Sequence, residues 1–190
     1  MNERDVRAGL DRVLTEAGFE RAAKSLRRRG SGVWTVVELQ KGFGQLWHIN
    51  IGFRLEALGG VCPRRVEQTH LYFRLERLFP AWRETITTAG ALDDQGQARA
   101  FEALLGLLDG EVRRELLVLA SEHGLSSALA SGRLSEGLIR KEARNHLLSI
   151  HRAAISEDAA SPAPPAPAEP RAAADGEVGR AEGAPSRRRS

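Results

Sequence analysis

The alternation of apolar and polar residues in residues 46–55 constrains the fold of this 190-residue chain most strongly. The segment reads LWHINIGFRL, and every second side chain from Trp47 to Leu55 is apolar. Successive side chains of a β-strand point to opposite faces, so this period of two predicts a strand with one buried and one polar face. Residues 33–40, VWTVVELQ, are rich in β-branched residues and predict a second strand. Residues 41–45 between them contain two glycines and predict a hairpin connection.

Two weaker segments also favour strands. Residues 19–26 predict a short strand, followed by a turn over residues 27–32. Residues 69–78, THLYFRLERL, alternate in polarity, although Leu71, Leu75 and Leu78 also fit the period of a helix. We interpret this segment as a strand and keep the helix as the alternative.

Helical spacing of apolar residues predicts helices over residues 3–17, 97–108, 111–123 and 135–154. Strands that follow one another along the chain, and then helices that do the same, are typical of an α+β fold. We therefore expect an antiparallel sheet of four to five strands, packed with N-terminal and C-terminal helices.

The composition changes sharply at residue 156. Residues 156–190 contain six of the eight prolines, ten alanines and no aromatic side chain. Such a segment cannot bury enough apolar surface to offset the entropy lost on ordering, so the sequence predicts a disordered tail. Residues 1–155 are then a single α+β domain, with an aromatic, β-rich first half (2–82) and a leucine-rich helical second half (97–155).

Several classes of protein are disfavoured. The longest apolar run, residues 116–120, is far shorter than the roughly 20 residues of a membrane helix, and residues 1–5 lack the apolar core of a secretory signal. We therefore expect a cytoplasmic protein with no membrane association. The single cysteine, Cys62, cannot form an internal disulfide or a cysteine-based metal cluster, and no cofactor is expected. The net charge of +3 is small for a nucleic-acid-binding protein of this size.

The order of motifs over residues 2–82 resembles a known family. These motifs are Gly18-Phe19 after the first helix, Leu39-Gln40-Lys41, Asn50-Ile51-Gly52 and the later segment HLYFRLERLFP with Arg74. This order is similar to the family catalogued as domain of unknown function 4304. The resemblance implies an α+β fold and a mostly bacterial setting, but no activity, cofactor or catalytic residue. The helical second half and the tail depart from the family's pattern.

Alternation also predicts a candidate recognition face. If the predicted strands share one sheet, their polar side chains lie on one surface: Glu38, Gln40, His48, Asn50, His70, Tyr72, Arg74 and Glu76. A solvated sheet face shows the same alternation without any function, so a plain surface is the first alternative. Gly52, beside Asn50, would allow a ligand or another chain to approach the backbone closely.

Other candidate sites have weaker support. Glu38, His48 and His70 would match an acid–base or metal-binding set if the fold brought them together. Cys62, close in sequence to Arg64 and Arg65, is a candidate nucleophile without an identified base. On one helix, His146 and His151 are five residues apart and cannot jointly bind one ion.

The run Arg27, Arg28 and Arg29, near Trp34, is the best nucleic-acid signal in the domain, placed by sequence in a turn.

From the residues alone, the favoured function is a non-enzymatic protein-binding module. In this interpretation Gln40, Asn50 and Arg74 form hydrogen bonds to the partner around the aromatic anchors Trp34 and Tyr72. An adaptor or toxin-neutralising role fits by analogy only. The first alternative is a small hydrolytic or ligand-binding enzyme that uses the histidine and glutamate cluster. The second is a weak nucleic-acid binder.

Overall fold

The computed structural model describes residues 3–43, 46–91 and 96–160. Within them, six strands form one sheet in which every neighbouring pair is antiparallel and the spatial order follows the chain. The strands are β1 (Glu20–Ala22), β2 (Ser25–Arg29), β3 (Val33–Lys41), β4 (Trp47–Leu55), β5 (Leu71–Arg74) and β6 (Leu138–Ile139). The α+β prediction is confirmed, with more strands than the four to five expected.

Seven α-helices accompany the sheet in the described residues. They are α1 (Glu3–Glu16), α2 (Leu75–Leu78), α3 (Arg83–Gly90), α4 (Gln97–Asp109), α5 (Glu111–Leu119), α6 (Glu122–Ala130) and α7 (Lys141–Ala160). The described residues fall in one compact unit, Met1–Ala160. None of these helices combines the length and apolar character needed to cross a membrane.

One face of the sheet forms the core. The alternating side chains of β4, from Trp47 to Leu55, are all buried there. Helix α1 contributes a stripe of four buried residues, Val6, Leu10, Val13 and Leu14, to the same cluster. The predicted hairpin is present, because Lys41 pairs with Trp47 at the ends of β3 and β4. Its residues 44 and 45 lie outside the described residues.

The N-terminal strand prediction was wrong in its boundaries. A turn divides residues 19–26 into the whole of β1 and the start of β2, and Ala23 in this turn has a positive φ of 57°. Strand β2 then continues through Arg29, which the sequence placed in a turn. Three adjacent arginines hide the period of a strand, because apolar and polar positions cannot be told apart there.

The segment 69–78 contains both of the structures that its pattern allows. Residues 71–74 pair with β4, and residues 75–78 then form one helical turn in which Leu75 and Leu78 are buried. The predicted helix 111–123 is interrupted before Ser121, whose Oγ accepts the Gly124 N–H at 3.0 Å and caps α6.

The predicted C-terminal helix begins later and ends later than expected. Residues 138–139 form β6 at the edge of the sheet, so the helix begins at Lys141 instead of residue 135. It then extends to Ala160, five residues into the segment predicted as disordered. The remaining part of that predicted tail, residues 161–190, lies outside the described residues.

Candidate functional site

The sheet register brings most of the predicted recognition residues to one face. Directly paired residues of an antiparallel sheet project to the same side. The pairs that matter are Glu38–Asn50, Gln40–His48, Asn50–Arg74 and Gly52–Tyr72. We call this side, which is opposite the core, the polar face.

A segment that the sequence left unassigned covers part of the polar face. We call residues 56–69 the strap; they connect β4 to β5. Arg54 fixes the strap by donating to the carbonyl oxygens of Gln68 at 2.6 Å and Gly59 at 2.8 Å. On the other side, the Ser25 hydroxyl donates to the Arg64 carbonyl at 2.5 Å. The strap is therefore bonded to β2 and to β4.

Gly52 and Glu38 lie in the sheet directly against the strap. A Cβ at Gly52 would collide with the side chain of Thr69, so only glycine permits this close approach. The predicted approach to the Gly52 backbone is thus made by the strap itself. Glu38 is buried beneath it, accepts the Val66 N–H at 3.4 Å and lies 3.5 Å from the Arg65 guanidinium.

His70 has a structural position away from His48. Its buried ring accepts the Leu55 N–H at Nδ1, 3.1 Å away. Phe53 pairs with Leu71, so His70 lies level with Arg54, six residues along β4 from His48 or roughly 20 Å. Burial lowers the pKa of His70, and Arg54 and Arg140 lower it further, which keeps the ring neutral.

The structure consequently does not bring Glu38, His48 and His70 together. Over residues 3–43, 46–91 and 96–160, no group of three His, Cys, Asp or Glu side chains is arranged to hold a metal ion. The predicted acid–base or metal-binding set thus has no geometric support. His146 lies 3.3 Å from Glu122, which fits a role in joining α7 to α6.

Arg27, Arg29 and Cys62 all contact other side chains of the same chain. Arg27 and Arg29 lie over the ring of Trp34, with guanidinium carbons 5.5 and 5.9 Å from its centroid. Arg27 Nη1 also lies 2.9 Å from Cys62 Sγ, a position that the sequence assigned to Arg64 or Arg65.

Arg29 forms a bidentate pair with Glu56. Arg28, the middle residue of the run, projects to the opposite side of β2. The three arginines therefore form no common phosphate-binding surface. Trp34 is six residues along β3 from Gln40, roughly 20 Å away, so it is no anchor for a site around Gln40.

The strap leaves one end of the polar face uncovered. Six polar side chains gather there, and we call them the polar patch: Gln40, His48, Asn50, Tyr72, Arg74 and Glu76. Five come from β3, β4 and β5, and Glu76 comes from α2, which follows β5 without a loop. Gln40 is exposed, Asn50 is fully buried, and the other four are half-buried.

Asn50 lies at the centre of the polar patch with half of its amide unsatisfied. Its Nδ2 donates to Gln40 Oε1 at 2.6 Å, whereas its buried Oδ1 has no hydrogen-bond partner within the described part of the chain. An unsatisfied buried acceptor costs about 1–3 kcal/mol. Asn50 itself has no exposed surface, so a donor from another molecule reaches this oxygen only when side chains of the polar patch move.

Charge in the polar patch is carried by Arg74 and Glu76 on either side of His48. His48 Nδ1 lies 3.6 Å from Glu76 Oε1, which is longer than a hydrogen bond. Burial lowers the pKa of His48 most, Arg74 lowers it further, and Glu76 opposes both. Burial also raises the pKa of Tyr72, which keeps its hydroxyl protonated. Near pH 7 the patch thus presents a neutral imidazole and a phenol between two opposite charges.

Comparison of the chain with protein-family models, with curated proteins and with solved structures found no match. The resemblance to domain of unknown function 4304 stays a prediction.

Proposed function

We propose that the protein is a non-enzymatic protein-binding module and that the polar patch contacts its partner. The observation that carries this proposal is the buried Asn50 Oδ1, an acceptor without a donor at the one end of the polar face that the strap leaves uncovered. A partner that displaces the side chains covering Asn50 and supplies an N–H or O–H would remove the cost of that unsatisfied group.

The composition of the polar patch supports binding to a protein. Tyrosine and arginine are the residue types most enriched among side chains that dominate binding energy at protein interfaces. Tyr72 and Arg74 lie two residues apart on the same face of β5, and the Arg74 charge opposes the rise in the pKa of Tyr72. Each is half-buried, so it would lose less side-chain freedom on binding than a fully exposed residue.

The same geometry gives little support to catalysis. His48 faces Glu76, but the polar patch contains no serine, cysteine or threonine that it could activate. Cys62 lies within the strap, where Arg27 contacts its Sγ. An adaptor, or a protein that neutralises a toxin by covering its working surface, needs a binding surface and no catalytic group. Both are forms of the function proposed here.

Affinity capture tests this function. The full chain and a variant with Gln40→Ala, His48→Ala and Arg74→Ala would each be incubated with nuclease-treated lysate at physiological salt, and bound proteins quantified by mass spectrometry. Asn50 is left in place so that only exposed or half-buried side chains are changed. Arg114→Ala, an exposed arginine on α5, is the matched control.

We expect a stoichiometric protein partner with the wild type and the control, and its loss with the triple variant. Circular dichroism must show that all three chains are equally folded. A partner that the triple variant retains, or the absence of any stoichiometric partner, would contradict the proposal.

A further inference from the structure

The outer edge of the sheet is incomplete beside the polar patch. Strand β6 pairs only with Leu71 and Tyr72 of β5, and no other strand of the described residues continues along Phe73 and Arg74. The reason is local. Gly137 lies against the ring of Phe73, where a Cβ would overlap the ring, so the chain enters β6 from the core side of the sheet instead of along its edge.

A cavity of about 290 Å³ fills the place that a longer β6 would occupy. We call it the edge notch, and its lining residues are Tyr72, Phe73, Arg74, Arg77, Glu136 and Leu138. Its apolar wall includes Leu138, a leucine with 68% of its surface exposed. Leu138 pairs with Tyr72, so the two side chains share the polar face with Arg74.

The edge notch carries excess positive charge. Glu136 is its one acidic residue, and Arg83 already pairs with it at 2.9 Å. Arg74 and Arg77 have no ion-pair partner within 4 Å among the described residues. Two arginines beside an open strand edge are complementary to a carboxylate on an extended chain.

We propose that the edge notch binds an extended acidic segment of the protein partner, an inference that rests on the function proposed above. The segment lies along the free edge at Phe73 and Arg74. An aspartate or glutamate side chain contacts Arg74 and Arg77. Leu138 already occupies the position beside Tyr72, so the segment leaves the edge there and an apolar side chain two residues on packs against the exposed Leu138. Residues i and i+2 of a strand project to the same face about 6.6 Å apart, which matches one carboxylate and one apolar side chain on the polar face.

Synthetic peptides test the chemistry of the edge notch without knowledge of the partner. The probe is a fluorescein-labelled peptide of sequence GTETLTG, with glutamate and leucine two residues apart, and the matched control peptide is GTQTLTG. Fluorescence anisotropy with the full chain measures both affinities. A charge-assisted hydrogen bond contributes enough that we expect the glutamine peptide to bind about tenfold more weakly.

Variants locate the binding. Arg77→Gln should reduce affinity for the acidic peptide about tenfold, because it removes one of the two cations from an exposed position. Glu136→Gln, in the same cavity, should leave affinity unchanged or raise it. Arg114→Gln on α5 is the control for net charge. Equal affinity for the two peptides, no measurable binding, or equal loss with Arg77→Gln and Arg114→Gln would overturn the proposal.

Two further measurements distinguish an acidic-segment site from a general anion site, and this proposal from the proposed function. If inorganic phosphate displaces the acidic peptide at equal concentration, the notch is a general anion site and the acidic segment is rejected. Capture with Arg77→Gln then distinguishes the two proposals. A partner that is lost with the triple variant but retained by Arg77→Gln would leave the proposed function intact and reject the edge notch as its binding site. Peptide binding by a chain that captures no partner would reject the proposed function alone.

Discussion

The close contact between Gly52 and Thr69 can be tested by a substitution that adds one methyl group. Gly52→Ala places a Cβ against Thr69, whose hydroxyl lies 2.6 Å from the Val66 carbonyl and 2.9 Å from the Leu71 carbonyl. Because these buried bonds restrain the side chain, the strap must move away from β4. Overpacking of this kind costs about 1–3 kcal/mol, and removing glycine from a strand regains about 0.5–1 kcal/mol. We expect a net loss of about 1 kcal/mol in the free energy of unfolding.

Urea unfolding followed by tryptophan fluorescence measures this loss, which corresponds to a melting temperature lower by roughly 2–4 °C. Gly106→Ala is the matched control, because Gly106 is exposed on α4 with open space around its Cα, and should stabilise by about 0.4–1 kcal/mol. The cost of Gly52→Ala should shrink in a Thr69→Ala background. If Gly52→Ala is as stable as the wild type, the strap does not pack on the sheet as described.

Three further predictions follow from the titrating and basic groups. The pKa values of His48 and His70 are lowered, so below about pH 6.5 the unfolded chain binds more protons than the folded one, and the free energy of unfolding should fall as the pH decreases. Urea midpoints at pH 7, 6 and 5 measure the slope, which should flatten when His48→Gln and His70→Asn are combined. Arg27→Ala should lower the melting temperature in calorimetry, because the side chain contacts both Trp34 and Cys62. The full chain should not bind a labelled single-stranded DNA at physiological salt in an anisotropy titration, and a salt-sensitive complex lost with Arg27→Ala would contradict this.

The central hairpin and its two faces could be predicted because the pattern is local. From Trp47 to Leu55 the polarity of each residue indicates the face of the sheet on which it lies. The partner strand is only a few residues away in the sequence. The pairing of Asn50 with Glu38 and of His48 with Gln40 then follows from a short connection. The α+β fold class follows from the same local patterns.

The strap could not be predicted, because its contacts are distant in sequence and involve the backbone. Arg54 and Ser25 bind carbonyl oxygens of the strap, and carbonyl groups carry no sequence signal. The same holds for β6, which has only two residues and shows no alternation. The edge notch depends on β6 and on Gly137, so sequence reasoning missed Arg77, Glu136 and Leu138. In the sequence, only Gly137 before Leu138 marked this site.

His70 shows how a correct pattern can still mislead about function. Its alternation with Tyr72 and Arg74 is real, yet the strap and the sheet edge bury it and leave its ring bonded to a backbone N–H. Polarity alone cannot distinguish a side chain that hydrogen-bonds to the backbone from one that binds a ligand. Only the hydrogen-bond partner of each polar atom makes that distinction.

Asn50→Leu tests the central claim most directly, because leucine has nearly the shape of asparagine and removes the unsatisfied acceptor. The measurement is paired: melting temperature of the full chain, and capture of the stoichiometric partner. If Asn50 is retained for recognition, the variant should capture no partner and should melt within a few degrees of the wild type. The melting temperature changes little because the substitution removes both the Gln40 hydrogen bond and the unsatisfied acceptor, and these two effects oppose each other at about 1 kcal/mol each. A variant that melts far lower but still captures the partner would show that Asn50 serves the fold, and would contradict the account.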